Sequence, residues 1–323
     1  MQRLVSVVLV CLEIAILSAL VLATRCANYP DVFVGGNIYF TDADCYARMT
    51  RVRMCAEHPG LIVRHHDFEN FPDGTTPHTT APLDYLIVSL SILLKPFTAQ
   101  PIDLAGAVVS PFLGLLGGWF LWWWSRRMKL HYRWVMLLIY ALSPILVHGT
   151  KLGRPDHQSF LILLVMIGVC AEWAFRKERS LNWSLFWGLA WSLALWVSFY
   201  EPLVLFSIVV LFGLTKDRHL LFASHRRTGW IIFGAIVAIF LLVEQRLPTF
   251  PIFQSSALLV NWSRTIGELA HVSPWNRIWF AWASYLIAVA LILIWYALRK
   301  RTAPPGFVLA LLLATFLLTI WQA

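Results

Sequence analysis

The sequence predicts an all-α polytopic membrane protein: a bundle of about nine spanning helices with a large first outer loop. Three observations predict it. Hydrophobic residues make up 59% of the 323 positions and charged residues only 13%, about half the charge of an ordinary soluble domain. Apolar runs recur along the whole chain, many reaching the roughly 17–25 residues that a spanning helix needs. The breaks between them alternate in charge, basic and then acidic, as they do when successive loops face opposite sides of a membrane.

The spans read, in order, as about 4–23, 103–124, 134–150, 158–175, 183–200, 202–214, 229–243, 278–298 and 306–321. The first follows a short basic start. At about 20 residues it is longer than a signal-peptide core of about 7–15, so it reads as a retained span. Glu13 within it is costly in lipid and is expected to face other helices in a structural role. Residues 82–97 (PLDYLIVSLSILLKPF) are apolar but short and end at Lys95-Pro96. If they lie along the membrane and residue 1 is cytoplasmic, the stretches 125–133, 176–182, 215–227 and 298–305 are all cytoplasmic, and all are rich in Lys and Arg. If they span, every basic loop moves outside, against the positive-inside rule. They are therefore read as interfacial.

This topology leaves 24–102, 151–157, 200–202 and 244–277 on the outer face, where 12 of the 17 acidic residues fall, with Asp103 at the edge of the first loop. The chain is one transmembrane domain, with a first outer loop of about 24–102 and a late one of about 244–277. Its expected place is the inner (plasma) membrane, multi-pass, with the N-terminus cytoplasmic. The net charge of +9 belongs to the cytoplasmic loops, and no basic stripe on a soluble module points to nucleic acid. Of the five cysteines none shows CxxC spacing, which argues against a zinc site. An outer-face location would permit a Cys45–Cys55 disulfide.

Three acidic features share the outer face. In FTDADCYARMTRVR (40–53), Asp42 and Asp44 stand two apart, ahead of Arg48, Arg51 and Arg53. Paired carboxylates near a membrane suit a hard divalent cation such as Mg²⁺ or Mn²⁺; a solvated loop is the alternative. In GRPDHQ (153–158), Asp156 and His157 can ligate a metal, while Lys151 and Arg154 can hold a phosphate or snorkel toward headgroups. In NWSRTIGELAHVSPW (261–275), Glu268 and His271 are three apart and Arg264 precedes them. Glu201, in a Tyr-Glu-Pro turn, reads as a helix-terminating residue. The polar cluster His65, His66, Asp67 and Glu69 reads as solvated loop.

Taken together, Asp42-Ala43-Asp44-Cys45-Tyr46-Ala47-Arg48, Gly153-Arg154-Pro155-Asp156-His157-Gln158 and Thr265-Ile266-Gly267-Glu268 resemble the ordered motifs of oligosaccharyltransferase catalytic subunits and related bacterial glycosyltransferases of the GT-C fold. The Pro/Gly-rich FPDGTTPHTTAPLDYLI (71–87) also looks like the end of that family's first outer loop. The resemblance spans residues 1 to about 300, carried by four short stretches.

It implies a GT-C-like bundle and an enzyme, a glycosyltransferase moving a sugar from a polyprenyl-phosphate or polyprenyl-pyrophosphate donor to an acceptor on the outer face. It implies catalytic roles for Asp42, Asp44 and Glu268, and a divalent cation held by Asp42, Asp156, His157, Gln158 and Glu268. Arg48, Lys151, Arg154 and Arg264 become candidates for the donor phosphate. A metal and nearby cations would stabilise the departing lipid phosphate, and Asp42 would take the acceptor proton. Two features depart from the family. Gln158 stands where a His or Asp is usual. The sequence ends at Ala323 after an apolar run, before any soluble domain whose W-W-D-type motif reads an acceptor asparagine, so the expectation is either a fragment or a smaller, divergent branch with another acceptor. The alternatives are a membrane carrier of a lipid or anionic solute, whose polar residues should line the midplane, and an inactive relative.

Overall fold

The structure is a computed structural model that describes residues 2–69, 71–77, 81–245 and 306–313. Helices dominate it. Among the described residues four are long and apolar enough to cross a membrane: α1 (Gln2–Arg25, from Val7 onward), α5 (Pro101–Arg127), α8 (His157–Glu178) and α12 (Ser224–Glu244). Shorter apolar helices are α4 (Ala81–Leu94), α6 (Arg133–Leu142) and α9 (Leu181–Val197). The expected spans at 183–200 and 202–214 are α9 and α10 (Tyr200–Lys216). The span expected at 278–298 lies outside the described residues; of the last, 306–313 is described and helical.

The span expected at 134–150 is two helices, α6 and α7 (Pro144–Gly149). Pro144 has no N–H, so the Tyr140 carbonyl loses its normal partner four residues on. The Arg25 side chain replaces it. Its Nη2 donates to Tyr140 O at 3.1 Å and its Nη1 to Ala141 O at 3.1 Å, and Thr24 Oγ1 also donates to Ala141 O at 3.0 Å. Arg25 is fully buried, an expensive placement justified by these freed carbonyls.

The chain forms two compact units, residues 1–202 with 227–245, and residues 203–226 with 246–323. In the second, Leu221 of the short α11 (Arg218–Leu221) lies against Gly213, and Phe212 lies close to Gly306. The first unit holds the acidic motifs at 40–53 and 153–158. At one of its ends, Leu152 N donates to Arg25 O at 2.8 Å and Gly153 N to Ala107 O at 2.9 Å, so α1 ends where α5 begins. At the other end Glu13 accepts from Trp122 Nε1 (2.9 Å), Arg126 Nη1 (2.9 Å) and Arg133 Nη2 (2.5 Å), the structural role expected of it. The segment between α1 and α5 thus leaves and returns at one end of the unit.

That segment is anchored by packing. It contains α2 (Tyr29–Val32), a tight hairpin of β1 (Phe33–Val34) and β2 (Asn37–Ile38), and α3 (Ala43–Glu57). Cys45, Met49 and Val52 of α3, Leu83 and Ile87 of α4, and Ala105, Val109 and Leu113 of α5 form one buried apolar cluster. A Cβ on Gly106 would stand 2.5 Å from Met49 Sδ, so the absent side chain lets α3 seat on α5. Cys45 and Cys55 are both free and buried. Ten residues apart on one helix, they are separated by about 15 Å of rise, far beyond the about 4.4–6.8 Å of a disulfide; the expected pairing is corrected.

Candidate active site

Two main-chain strands of the motifs are bonded directly to each other. Thr41 N donates to Gly153 O at 3.0 Å. Asn28 Nδ2 donates to Leu152 O at 2.9 Å, and Ser110 Oγ bonds Arg154 O. Gly153 has φ +72°, and a Cβ there would meet Val32 Cγ2 at 2.7 Å and Tyr39 O at 3.2 Å. Only glycine fits that position without strain.

Asp42 and Asp156 then each start a helix. Asp42 is the N-cap of α3, its Oδ1 accepting from Cys45 N at 3.0 Å. Asp156 is the N-cap of α8, its Oδ1 accepting from His157 N at 2.6 Å. Aspartate is a preferred N-cap, and the positive helix end favours its ionised form.

The remaining oxygens converge on one guanidinium. Arg154 Nη1 lies 3.7 Å from Asp42 Oδ2, and Nη2 lies 3.4 Å from Asp156 Oδ2 and 3.5 Å from Gln158 Oε1. His148 contacts Nη1 at 3.0 Å through Nε2. Arg154 is buried, and its Nε has no hydrogen-bond partner. His157 lies between two acids, Nδ1 2.6 Å from Asp156 Oδ1 and Nε2 3.7 Å from Glu201 Oε1. Burial pushes the Asp42 carboxyl upward, but the Cys45 N–H, Arg154 and Thr41 outweigh it and hold it below its ordinary range. Burial opposes the ionised Asp156 more strongly; His157, Arg48 and Arg154 prevail, and it too lies well below the usual range. Both are carboxylates at neutral pH. The buried Cys45 thiol is pushed up by burial and by Asp42, so it is no nucleophile.

The other expected site residues fall in different places. Asp44 is exposed in the first turn of α3 and joins none of these contacts. Arg48 is buried in an ion pair with Asp84 at 2.9 Å, which Arg51 also approaches at 3.7 Å. Lys151 is half-buried beside the loop. Arg264 and Glu268 lie outside the described residues. Glu201 is not a terminator: it sits in the first turn of α10 with its carboxylate turned to His157. Glu201 falls in the outer stretch 200–202, which is the signal that marks it. His148 falls inside the expected span 134–150, and no sequence signal marks it.

Among the described residues no group of three or more His, Cys, Asp or Glu is placed to hold a metal ion. The donor types alone are compatible with one. Asp42 Oδ2, Asp156 Oδ2 and Gln158 Oε1 are oxygen donors of the kind a hard divalent cation takes, already gathered around one positive group.

No protein-family model matches the sequence, and no curated protein matches it. Solved structures do. The archaeal oligosaccharyltransferase AglB from Archaeoglobus fulgidus, in complex with an inhibitory peptide and a dolichol-phosphate, aligns with 95% of this chain at a TM-score of 0.57 and 16% identity. The Archaeoglobus fulgidus oligosaccharyltransferase in its apo form aligns with 94% at a TM-score of 0.61 and 14% identity. The chain has the GT-C-type fold. At these identities the likeness is one of fold, and the chain spans 36–38% of the length of those two chains. A further structure of the same enzyme, in complex with Zn and sulfate, aligns at a TM-score of 0.56 and 15% identity. In this chain the GT-C-type bundle carries Asp42 and Asp156 at one end and Glu13 with its arginines at the other.

Proposed function

We propose that the chain is an integral membrane glycosyltransferase that moves a sugar or oligosaccharide from a polyprenyl-(pyro)phosphate carrier to an acceptor on the outer face of the inner (plasma) membrane. The observation that carries this reading is the meeting of Asp42 and Asp156, from separate helix starts, on Arg154. The oligosaccharyltransferase of like fold has been captured with a dolichol-phosphate and with Zn and sulfate, which supports a lipid-phosphate donor and a metal in this chain.

In the reaction, the acceptor's nucleophile forms the new bond to the anomeric carbon. The bond from that carbon to the carrier's phosphate oxygen breaks, and the phosphate leaves with the electron pair. Asp42, ionised and half-exposed, takes the acceptor's proton. Arg154, Lys151 and, from the late outer loop, Arg264 hold phosphate oxygens. Asp156 fixes Arg154, and the Arg48–Asp84 pair braces α3 beneath Asp42. Asp42, Asp156 and Gln158, completed by His157 or Glu268, would hold a Mg²⁺ or Mn²⁺ ion, which supplies Lewis-acid stabilisation of the leaving phosphate. The helices α1, α5, α8 and α12 supply an apolar bed for the carrier's tail.

The test supplies labelled polyprenyl-linked sugars to membranes that contain the protein. A labelled product is expected with the parent chain. Asp42→Ala and Asp156→Ala should each lower its formation by about 100-fold or more, the scale of losing a positioned base or transition-state charge partner. Product formed by both variants at the parent's level would refute the assignment.

A further inference from the structure

Asp156 presents its two oxygens unequally. Oδ1 receives both donors of the next residue, the backbone N–H of His157 and the ring Nδ1, each at 2.6 Å. Oδ2 is left for Arg154 at 3.4 Å. This division requires the His157 ring to fold back over the carboxylate that caps its own helix. The far edge of the ring is where it is held. Nε2 faces Glu201 Oε1 at 3.7 Å, and Glu201 Oε2 is bonded in turn by Ser198 Oγ. Ser198 is fully buried at the end of α9, so the anchor is fixed. The Glu201 side chain is 53% exposed, so packing does little to orient it; the Ser198 hydrogen bond and the pull of the facing His157 ring do.

We propose that Glu201 is a positioning residue of the site. It holds the His157 ring from behind, so that Nδ1 keeps Oδ1 of Asp156 engaged and Oδ2 stays turned toward Asp42 and Arg154. The links run Ser198, Glu201, His157, Asp156, Arg154, Asp42, joining the α9–α10 turn to the start of α3. The inference rests on the reading of Asp42 and Asp156 as the transfer site. Within it, Glu201 touches neither sugar nor phosphate; it acts through His157, as outer partners of ligating groups do.

The test uses the purified full chain in detergent with two variants. Glu201→Ala removes the acceptor; Glu201→Gln keeps an amide oxygen that can receive the same N–H. The first measurement is the hydrogen-bonded ring N–H resonance of His157 in protein labelled with ¹⁵N-histidine, assigned with His157→Gln. It should be present in the parent, lost in Glu201→Ala and kept in Glu201→Gln. The second is Mn²⁺ binding, with Kd about tenfold weaker in Glu201→Ala and within about twofold of the parent in Glu201→Gln. A His157 signal unmoved by Glu201→Ala would overturn the proposal, and so would a Glu201→Gln variant as impaired as Glu201→Ala. A parent that binds no Mn²⁺ while its His157 signal responds to Glu201→Ala would refute the metal site and leave the positioning role standing.

Discussion

At the scale of the residue, the site is a problem of charge kept ionised in partial burial. Asp42 and Asp156 would each be driven toward the neutral acid by desolvation alone. Each instead caps a helix and faces Arg154, and each carboxyl lies below its ordinary range. A depressed folded value adds stability that is complete above the unfolded carboxylate value near 4 and is lost as the pH falls through the folded value. The melting temperature in detergent should therefore be flat from about pH 7 to 5 and fall below about pH 4. In Asp156→Asn the folded and unfolded chains no longer differ at that position, so the acid limb should be shallower. An acid limb identical in the parent and Asp156→Asn would contradict this account of what keeps Asp156 charged.

At the scale of the element, what was legible in the sequence was whatever rests on local pattern. The helices α1, α5, α8 and α12 follow from apolar length. The reading of α4 as interfacial rests on the charge of loops far from it. The Asp42 and Asp156 motifs follow from residue type and order, and both prove to be helix starts. What was not legible depends on partners distant in the chain. Glu201 needs His157 to have meaning, and the division of 134–150 into α6 and α7 is tolerable only because Arg25 arrives from another helix. That last point is testable. Arg25→Met leaves the buried Tyr140 carbonyl unpaired, at a cost of about 1–3 kcal/mol. Pro144→Ala restores an N–H to pair with it, so Arg25→Met should cost less by about 1 kcal/mol or more in the Pro144→Ala background than in the parent. A double-mutant cycle of thermal or denaturant stability measures the coupling; additive costs would refute the carbonyl-capping role.

At the scale of the whole molecule, the first unit is polarised. One end holds Asp42, Asp156, Glu201 and the buried end of α12 at Glu244, where Arg64 Nε donates to the Glu244 carbonyl at 2.8 Å and the Glu244 carboxylate accepts from Trp196 Nε1 at 2.9 Å. Gln245, the last described residue before 306, therefore lies at the end that holds the site. The opposite end holds Arg126, Arg127 and Arg133, paired with Glu13 and Glu178, and Lys177 donating to Met128 O. Basic residues at one helix end and acidic residues at the other are the pattern that the positive-inside rule orients, and the rule predicts a cytoplasmic basic end and an outer site. Two exposed positions report on it. Asp44 lies at the acidic end and His131 in the basic turn between α5 and α6. A membrane-impermeant maleimide added to intact cells should label Asp44→Cys above the parent's background and leave His131→Cys unlabelled until the membrane is opened. The reverse pattern would place the acidic cluster in the cytoplasm, where a donor presented on the outer leaflet could not reach Asp42. Labelling of both positions in intact cells would mean that residues 45 to 130 do not separate them across a membrane, against the crossing by α5.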